Sequence, residues 1–102
     1  MVFFIDDEYD MRLANQQTFS LADINAQFFA DAESALVAMK ETLPQVIISD
    51  IRLPGISGQQ LLNTLQQRDP DLPVILITGH GDISMAVQAI RSGAYDFIEK
   101  PF

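Results

Sequence analysis

Side chains able to bind a metal ion or a phosphoryl group follow four short apolar segments of the chain. They are an acidic run, a second acid, a hydroxyl and an ammonium group, in the order Asp6-Asp7-Glu8, Asp50, Thr78 and Lys100. Carboxylates held within a few ångströms of one another raise each other's pKa, and a hard cation such as Mg²⁺ relieves their repulsion. The set therefore suits transfer of a phosphoryl group onto a carboxylate, with a metal, an ammonium and a hydroxyl offsetting the charge.

Asp50 is the carboxylate best placed to accept such a group, because it stands alone after a central apolar segment, opposite the acidic run. We expect Lys100 to pair with one of the carboxylates and Thr78 to donate a hydrogen bond to a phosphoryl oxygen. Taken singly, Asp6-Asp7-Glu8 also fits the acidic first turn of a helix, and Thr78 also fits a helix cap. Their joint position after strands favours the site.

This chemistry depends on five strands that alternate with four helices. Short apolar runs predict the strands Val2–Ile5, Asn25–Phe29, Val46–Ile48, Val74–Ile77 and Tyr95–Ile98. The segments between them carry apolar residues at helical spacing. Asp31, Ser57 and Asp82 are predicted N-caps, and Gly93 is predicted to end the last helix in a left-handed conformation.

Strict alternation of strands and helices predicts an α/β domain with an open, doubly wound parallel sheet. The strand Val74–Ile77 is apolar throughout, which indicates that helices cover both faces of the sheet. Ligands of such sheets bind beyond the carboxyl ends of the strands, where the strand order reverses. The polar residues that follow the strands should therefore meet at one edge.

The amino-acid composition limits the kinds of molecule that we expect the chain to bind. The chain has 102 residues, 48% of them hydrophobic, which fits one folded domain. It has no cysteine, so disulfides and thiolate zinc sites are excluded. Its net charge of −8 disfavours direct binding to nucleic acid and favours divalent cations and basic partners. The apolar runs are too short to span a membrane, and Val2–Ile5 meets Asp6 without a basic region typical of a signal peptide, so we expect a cytoplasmic domain.

Over essentially its whole length the chain resembles the receiver domain of bacterial two-component response regulators. The matching residues are Asp6-Asp7, Asp50 followed by Ile51-Arg52-Leu53-Pro54-Gly55, Thr78, and Lys100-Pro101-Phe102. The stretches Ile77–Asp82 and Gly93–Phe97 look like the NtrC-type subgroup, especially its dicarboxylate-transport members. The resemblance implies a flavodoxin-like strand order of 2-1-3-4-5. It also implies that residues 1–102 form one receiver domain, ending before the fifth helix that the family usually has.

The resemblance further implies roles for single residues. Asp7 would bind Mg²⁺ directly and Asp6 through water, together with Asp50 and the backbone carbonyl of Arg52. Asp50 would accept phosphate from the phosphohistidine of a sensor histidine kinase, and Thr78 and Lys100 would contact that phosphate. Thr78 and Phe97 would form the switch that reshapes an output face at Asp82–Ile98. Arg52 and His80 hold positions that tune phosphate hydrolysis in the family, although a lone histidine is more often plain polar surface.

In that family the receiver is a phosphoacceptor that assists its own phosphorylation and dephosphorylation, and not an enzyme in the usual sense. The longer protein would add an AAA+ ATPase acting on sigma-54 polymerase and a helix-turn-helix DNA reader, and homodimers are expected.

Two other functions compete with this interpretation. A haloacid-dehalogenase-like aspartyl phosphatase also combines Asp, Thr, Lys and Mg²⁺. The sequence pattern of those enzymes, however, has a second acid two residues after the nucleophile. Arg52 stands there and cannot act as a general acid. A receiver that only binds partners and is never phosphorylated would have lost an acid, the threonine or the lysine, and this chain keeps all of them. The interpretation as a nucleotide-binding module has still less support, since the sequence lacks the glycine-rich phosphate loops of such modules.

Overall fold

The computed structural model describes residues 1–79 and 81–100 of the chain. What was predicted for His80, Pro101 and Phe102 lies outside the described residues. Strands and helices alternate along the chain as β1 Val2–Ile5, α1 Tyr9–Leu21, β2 Ala26–Phe29, α2 Ala32–Ala38, β3 Val46–Asp50, α3 Gly58–Arg68, β4 Val74–Thr78, α4 Ile83–Arg91 and β5 Asp96–Glu99. Among these residues, none of the helices has the length and hydropathy to cross a membrane.

The five strands form one parallel sheet in the order β2-β1-β3-β4-β5, which confirms the predicted fold. The order reverses between β1 and β3, because β2 lies on one side of β1 and all later strands lie on the other. Ligands of doubly wound sheets bind at such a point, so a functional site is expected at the carboxyl ends of β1 and β3.

Helices pack against both faces of the sheet. Phe3 and Ile5 of β1 are fully buried in a core shared with Leu61 of α3 and Ala89 of α4. Successive residues of a strand point to opposite faces, so Phe4 lies on the other side. There it packs against Phe19 of α1, with ring centroids 5.9 Å apart. Burial of such a side chain contributes about 1.5–3 kcal/mol, which holds β1 rigidly in place.

Strands β3, β4 and β5 end one or two residues later than the apolar pattern predicted, and β2 and β5 begin one residue later, at Ala26 and Asp96. Asp50 pairs with Ile77, and Thr78 pairs with Glu99, so both polar residues belong to the ladder. The candidate site residues Asp50 and Thr78 are therefore held by strand pairing and do not lie in loops.

The predicted helix ends are correct at three of four positions. Ser57 accepts from Gln60 N at 3.2 Å within a capping box, and Asp31 accepts from Ser34 N at 2.7 Å. Gly93 follows α4 with a φ of 111°, the left-handed conformation. Asp82 occupies the N-cap position of α4, but its side chain makes no capping hydrogen bond, because it pairs with Arg52 instead.

Candidate functional site

Asp6, Asp7 and Asp50 come together beyond the carboxyl ends of β1 and β3. One carboxylate oxygen of each lies within 4.8 Å of those of the other two. Asp6 and Asp50 are buried, whereas Asp7 is exposed. Helix α1 begins only at Tyr9, so Asp6 and Asp7 do not belong to its first turn and the purely helical interpretation of the acidic run does not apply to them.

Backbone amides orient the two buried carboxylates. Glu8 N donates to Asp6 Oδ1 at 3.0 Å, and Arg52 N donates to Asp50 Oδ1 at 3.0 Å. In both cases the donor lies two residues further along the chain, where the strand has just turned into a loop. The remaining oxygens, Asp6 Oδ2 and Asp50 Oδ2, are thus left for a cation.

Lys100 brings a positive charge to these oxygens. Its Nζ lies 2.8 Å from Asp50 Oδ2, 3.4 Å from Asp6 Oδ2 and 3.8 Å from Glu8 Oε1. Burial lowers the pKa of Lys100, but the hydrogen bond and charge of Asp50, helped by Asp6 and Glu8, outweigh it, so the pKa is raised overall. Lys100 N also donates to Thr78 O at 2.8 Å, which fixes the lysine beside the end of β4.

The cluster holds more negative charge than Lys100 neutralises. Asp6 is completely buried, and within residues 1–79 and 81–100 its Oδ2 has no hydrogen-bond partner. Burial raises the pKa of Asp6 and Asp50 adds to the rise, which outweighs the opposite effects of the Glu8 amide and Lys100. Three oxygens from carboxylates at this separation, one of them unpartnered, fit the donor set that Mg²⁺ prefers.

Thr78 is the second buried group without a partner. Its side chain is completely buried at the end of β4, and Oγ1 makes no hydrogen bond to any described residue. A buried hydroxyl without a partner costs free energy unless another state or a ligand satisfies it. The predicted alternative of a helix cap is not what this hydroxyl does among the described residues.

Asp7, Asp50 and Lys100 line a cavity of about 320 Å³ at this edge. Its remaining lining residues are Glu8, Arg52, Gly79 and Asp82. The cavity is wide enough for a phosphoryl group next to Asp50, since a single water occupies about 30 Å³ of liquid.

Phe97, the predicted switch aromatic, lies in β5 and is partly buried against the core. Tyr95, two residues earlier and just before β5, is 74% exposed. The side chain of Phe97 therefore points inward, whereas the more conspicuous tyrosine ring faces solvent.

Two arginine contacts at the site were not predicted. Arg52 Nε and one terminal nitrogen donate to the two carboxylate oxygens of Asp82 at 2.9 and 2.7 Å. Arg12, one turn into α1, donates from its guanidinium to Asp6 O at 2.8 Å. Opposite charges were the only signal in the sequence, and with fourteen acidic residues they do not identify a partner.

A doubly wound parallel sheet of this order, with acidic residues and a lysine at its carboxyl edge, defines a flavodoxin-like α/β domain with a charged site at its switch point. The chain belongs to the response regulator receiver domain family, and the sequence model of that family matches residues 2–102.

Curated relatives agree with that assignment. The chain is 54% identical over 101 residues to the C4-dicarboxylate transport transcriptional regulatory protein DctD of Rhizobium meliloti (strain 1021). It is 37% identical over 102 residues to the DNA-binding transcriptional regulator NtrC of Salmonella typhimurium. The alignments cover 99% and 100% of this chain but only 22% of either relative.

Solved structures show the same fold. The receiver domain of NtrX from Brucella abortus superposes with a TM-score of 0.94 at 42% identity, covering 100% of this chain and 87% of that one. FixJ-N gives a TM-score of 0.89 at 38% identity, covering 99% of this chain and 81% of that one. The predicted identity as an NtrC-type receiver domain is confirmed.

Proposed function

We propose that this domain is a phosphorylation-dependent signalling switch in which Asp50 accepts a phosphoryl group from the phosphohistidine of a sensor histidine kinase. The observation that carries the proposal is the clustering of Asp6 and Asp7 with Asp50, beside Lys100 and a cavity that Asp7, Asp50 and Lys100 line. Membership of the receiver family supports the same reaction.

The reaction forms a bond between a carboxylate oxygen of Asp50 and phosphorus. The bond between phosphorus and the imidazole nitrogen of the donor breaks, and the imidazole leaves with that electron pair and takes up a proton. Lys100, now 2.8 Å from Asp50 Oδ2, transfers its hydrogen bond to a phosphoryl oxygen as negative charge builds there. Hydrolysis by water later releases phosphate and restores the carboxylate.

Asp6, Asp7, Asp50 and the backbone carbonyl of Arg52 are the proposed ligands of Mg²⁺. When bound, the ion supplies positive charge that offsets both the carboxylate cluster and the phosphoryl oxygens. The acids would hold the metal and Lys100 would hold the phosphoryl group, so that little reorganisation would be needed during transfer.

Thr78 and Phe97 are the proposed switch. A phosphoryl group on Asp50 offers the buried Thr78 hydroxyl the acceptor it lacks among the described residues. Movement of Thr78 makes room that the partly buried ring of Phe97 can fill. The surface at Asp82–Ile98 then changes shape, and only a state-dependent contact of this kind can shift the equilibrium.

The wider role follows from the relatives. We infer that residues 1–102 serve as the receiver unit of a longer regulator with an AAA+ ATPase acting on sigma-54 polymerase and a DNA-binding domain, and that the regulator forms homodimers. The names of DctD and NtrC describe transcriptional regulators, which supports this role. The net charge of −8 supports the view that DNA is contacted elsewhere in such a protein.

The two competing functions fit less well. At the position where an aspartyl phosphatase carries its general acid, Arg52 is already held by Asp82 and does not release a proton at neutral pH. In a receiver that only binds partners, nothing would maintain buried acids beside Lys100. A long-lived phosphoaspartate is the outcome that separates both from the proposal.

Phosphorylation of Asp50 can be tested with acetyl phosphate. The Asp50→Asn variant should lose all labelling in the presence of Mg²⁺, because the amide is not a nucleophile, although it can still accept the hydrogen bond from Arg52 N. Intact-mass spectrometry would record the added phosphoryl group. Asp71→Asn, which removes an exposed carboxylate away from the cavity, is the matched control and should be labelled like the wild type. Labelling of Asp50→Asn at another residue would overturn the proposal.

A further inference from the structure

The ion pair between Arg52 and Asp82 joins the loop after β3 to the start of α4. Both carboxylate oxygens of Asp82 accept hydrogen bonds, at 2.9 Å from Arg52 Nε and at 2.7 Å from a terminal nitrogen. The Asp82 side chain is only 7% exposed, whereas that of Arg52 is 69% exposed. The aspartate is therefore fixed in the wall of the cavity, and the arginine is the partner that is free to move.

Arg52 contacts the candidate phosphoacceptor as well. Its backbone N–H donates to Asp50 Oδ1 at 3.0 Å, and its side chain lines the same cavity as Asp50 and Asp82. The pKa of Arg52 is raised chiefly by its hydrogen bond and charge interaction with Asp82, and to a smaller extent by the charge of Asp50. The guanidinium and the Asp50 carboxylate therefore already attract each other. Arg52 is thus a direct link between the site and the first turn of α4.

Asp82 has an alternative partner that it does not use. It occupies the N-cap position of α4, yet its φ of −98° and ψ of 22° are not extended and its side chain caps no N–H group. No acidic residue lies in the first turn of α4 to replace it. Asp31 shows what the same residue type does when free. At the N-cap of α2 it has a φ of −148° and a ψ of 164°, and it accepts from Ser34 N at 2.7 Å.

We propose that Asp82 is a two-position residue: it holds Arg52 while Asp50 carries no phosphoryl group, and it caps α4 once the phosphoryl group draws Arg52 away. The inference rests on the proposed function of Asp50. It adds a contact that carries the phosphorylation signal from the loop after β3 to α4, beside the change at Thr78 and Phe97.

The exchange has a physical cause. Phosphorylation replaces one carboxylate charge by a group with a charge of about −1.5 to −2 and three strong acceptor oxygens. A guanidinium binds such a group through paired hydrogen bonds at least as well as it binds a carboxylate. Asp82 loses its partner in the exchange but gains the free N–H groups at the start of α4, so its buried charge remains satisfied.

Nuclear magnetic resonance of the 102-residue chain tests this, with beryllofluoride and Mg²⁺ as the phosphoryl mimic. In the wild type without the mimic, the Nε–H of Arg52 should resonate at a hydrogen-bonded position, and the mimic should shift it. The backbone amides of Ser84 and Met85 should shift in the same titration, because they are the N–H groups that an N-cap side chain reaches.

Two substitutions at Asp82 separate capping from simple loss of the ion pair. Asp82→Asn removes the charge that pairs with Arg52 but keeps a side chain that caps well, so without the mimic its Ser84 and Met85 amides should move toward the mimic-bound wild-type positions. Asp82→Ala also releases Arg52 but cannot cap, so these amides should not move in that direction. Arg52→Gln should resemble Asp82→Asn, because it frees Asp82 to cap α4.

The outcomes are distinguishable. An Arg52 Nε–H signal that is unchanged in the mimic-bound wild type would overturn the exchange, even where the backbone amides of Ile51 and Arg52 show that the mimic has bound. Equal shifts of Ser84 and Met85 in Asp82→Asn and Asp82→Ala would also overturn it, because capping would then play no part. A wild type whose Ile51 and Arg52 amides do not respond to the mimic would overturn the proposed function, and this inference with it.

Discussion

Asp6 carries an electrostatic cost that the folded domain bears at neutral pH. Its carboxyl group is completely buried, one oxygen has no hydrogen-bond partner among the described residues, and its pKa is raised chiefly by burial. An acid whose pKa is raised by folding holds its proton more tightly in the folded state. Stability is therefore lost as the pH rises from the ordinary value of 3.8 through the raised pKa of Asp6.

Replacement of Asp6 by asparagine should stabilise the metal-free domain. Asp6→Asn removes the buried charge and keeps an oxygen to accept from Glu8 N. We expect the free energy of unfolding at pH 7 to rise by about 1–3 kcal/mol, the cost of an unsatisfied buried polar group. Urea titrations without Mg²⁺ would measure it, and the gain should shrink as the pH is lowered toward 3.8. An Asp6→Asn variant that is less stable than the wild type at pH 7 would show that Lys100 already compensates the charge.

At the scale of residues, the sequence predicted which side chains meet but not how each is satisfied. Asp6, Asp50 and Lys100 lie at the carboxyl ends of parallel strands, and geometry alone brings these ends to one edge. The ion pair between Arg52 and Asp82 depends instead on the conformations of two loops 30 residues apart. No local sequence pattern predicts a contact between residues so far apart in the chain.

At the scale of elements, the start of α3 packs directly against the backbone at the end of β3. Gly58, the first residue of α3, lies so close that a Cβ atom there would be 2.6 Å from Asp50 O and 2.7 Å from Ile51 Cα. Both neighbours are backbone atoms and cannot rotate away. The position of Asp50 therefore depends on a residue without a side chain at the beginning of the next helix.

Gly58→Ala should impair phosphorylation more than its effect on stability explains. The added methyl group must displace the backbone at Asp50 and Ile51, with a cost in stability of about 1–3 kcal/mol. We expect slower labelling of Asp50 by acetyl phosphate, measured under conditions where the variant is fully folded. Ser57→Ala is the matched control: it loses the capping box and about 1 kcal/mol but leaves the end of β3 in place, so its labelling rate should be retained. Equal labelling rates of the two variants would contradict this role of Gly58.

Helix α2 provides a test of pH dependence. The hydrogen bonds from Ser34 hold the pKa of Asp31 below its ordinary value of 3.8. The stability that this cap contributes is therefore present above pH 3.8 and is lost as the pH falls through the lowered pKa. Asp31→Ala should cost about 0.5–2 kcal/mol at neutral pH and progressively less in acid, measured by urea titration at several pH values. Asp31→Asn, which still caps, should retain most of the stability at neutral pH, and a loss as large as that of alanine would contradict the assignment.

Helix ends were predictable where their signals are local. Ser57 and Asp31 cap the helices that they precede, because their partners lie three residues further along the chain. Asp82 was wrongly predicted to cap α4 by its side chain, since a distant arginine competes for the same carboxylate. Local propensity decides a cap only when no tertiary contact offers the side chain a better partner.

At the scale of the whole molecule, folding and metal binding should be linked. Asp6 and Asp7 are separated from Asp50 by most of two β-α units, and the three carboxylates come within 4.8 Å of one another only when β1 and β3 pair. A ligand that binds the folded state alone stabilises it by about 2.7 kcal/mol at a concentration of 100 times its Kd. The negative net charge of −8 adds a nonspecific attraction for any cation, which salt screens.

Mg²⁺ should therefore raise the melting temperature of the wild type by more than NaCl does at equal ionic strength. The excess belongs to the acidic cluster, because screening alone does not distinguish the two salts. Asp7→Asn removes the exposed carboxylate of the cluster without disturbing the buried pair, so it should abolish the excess and keep the response to NaCl. Differential scanning calorimetry over a range of Mg²⁺ concentrations would measure both. A full Mg²⁺ response in Asp7→Asn would exclude Asp7 as a proposed metal ligand, because the excess would then come from carboxylates other than that of Asp7.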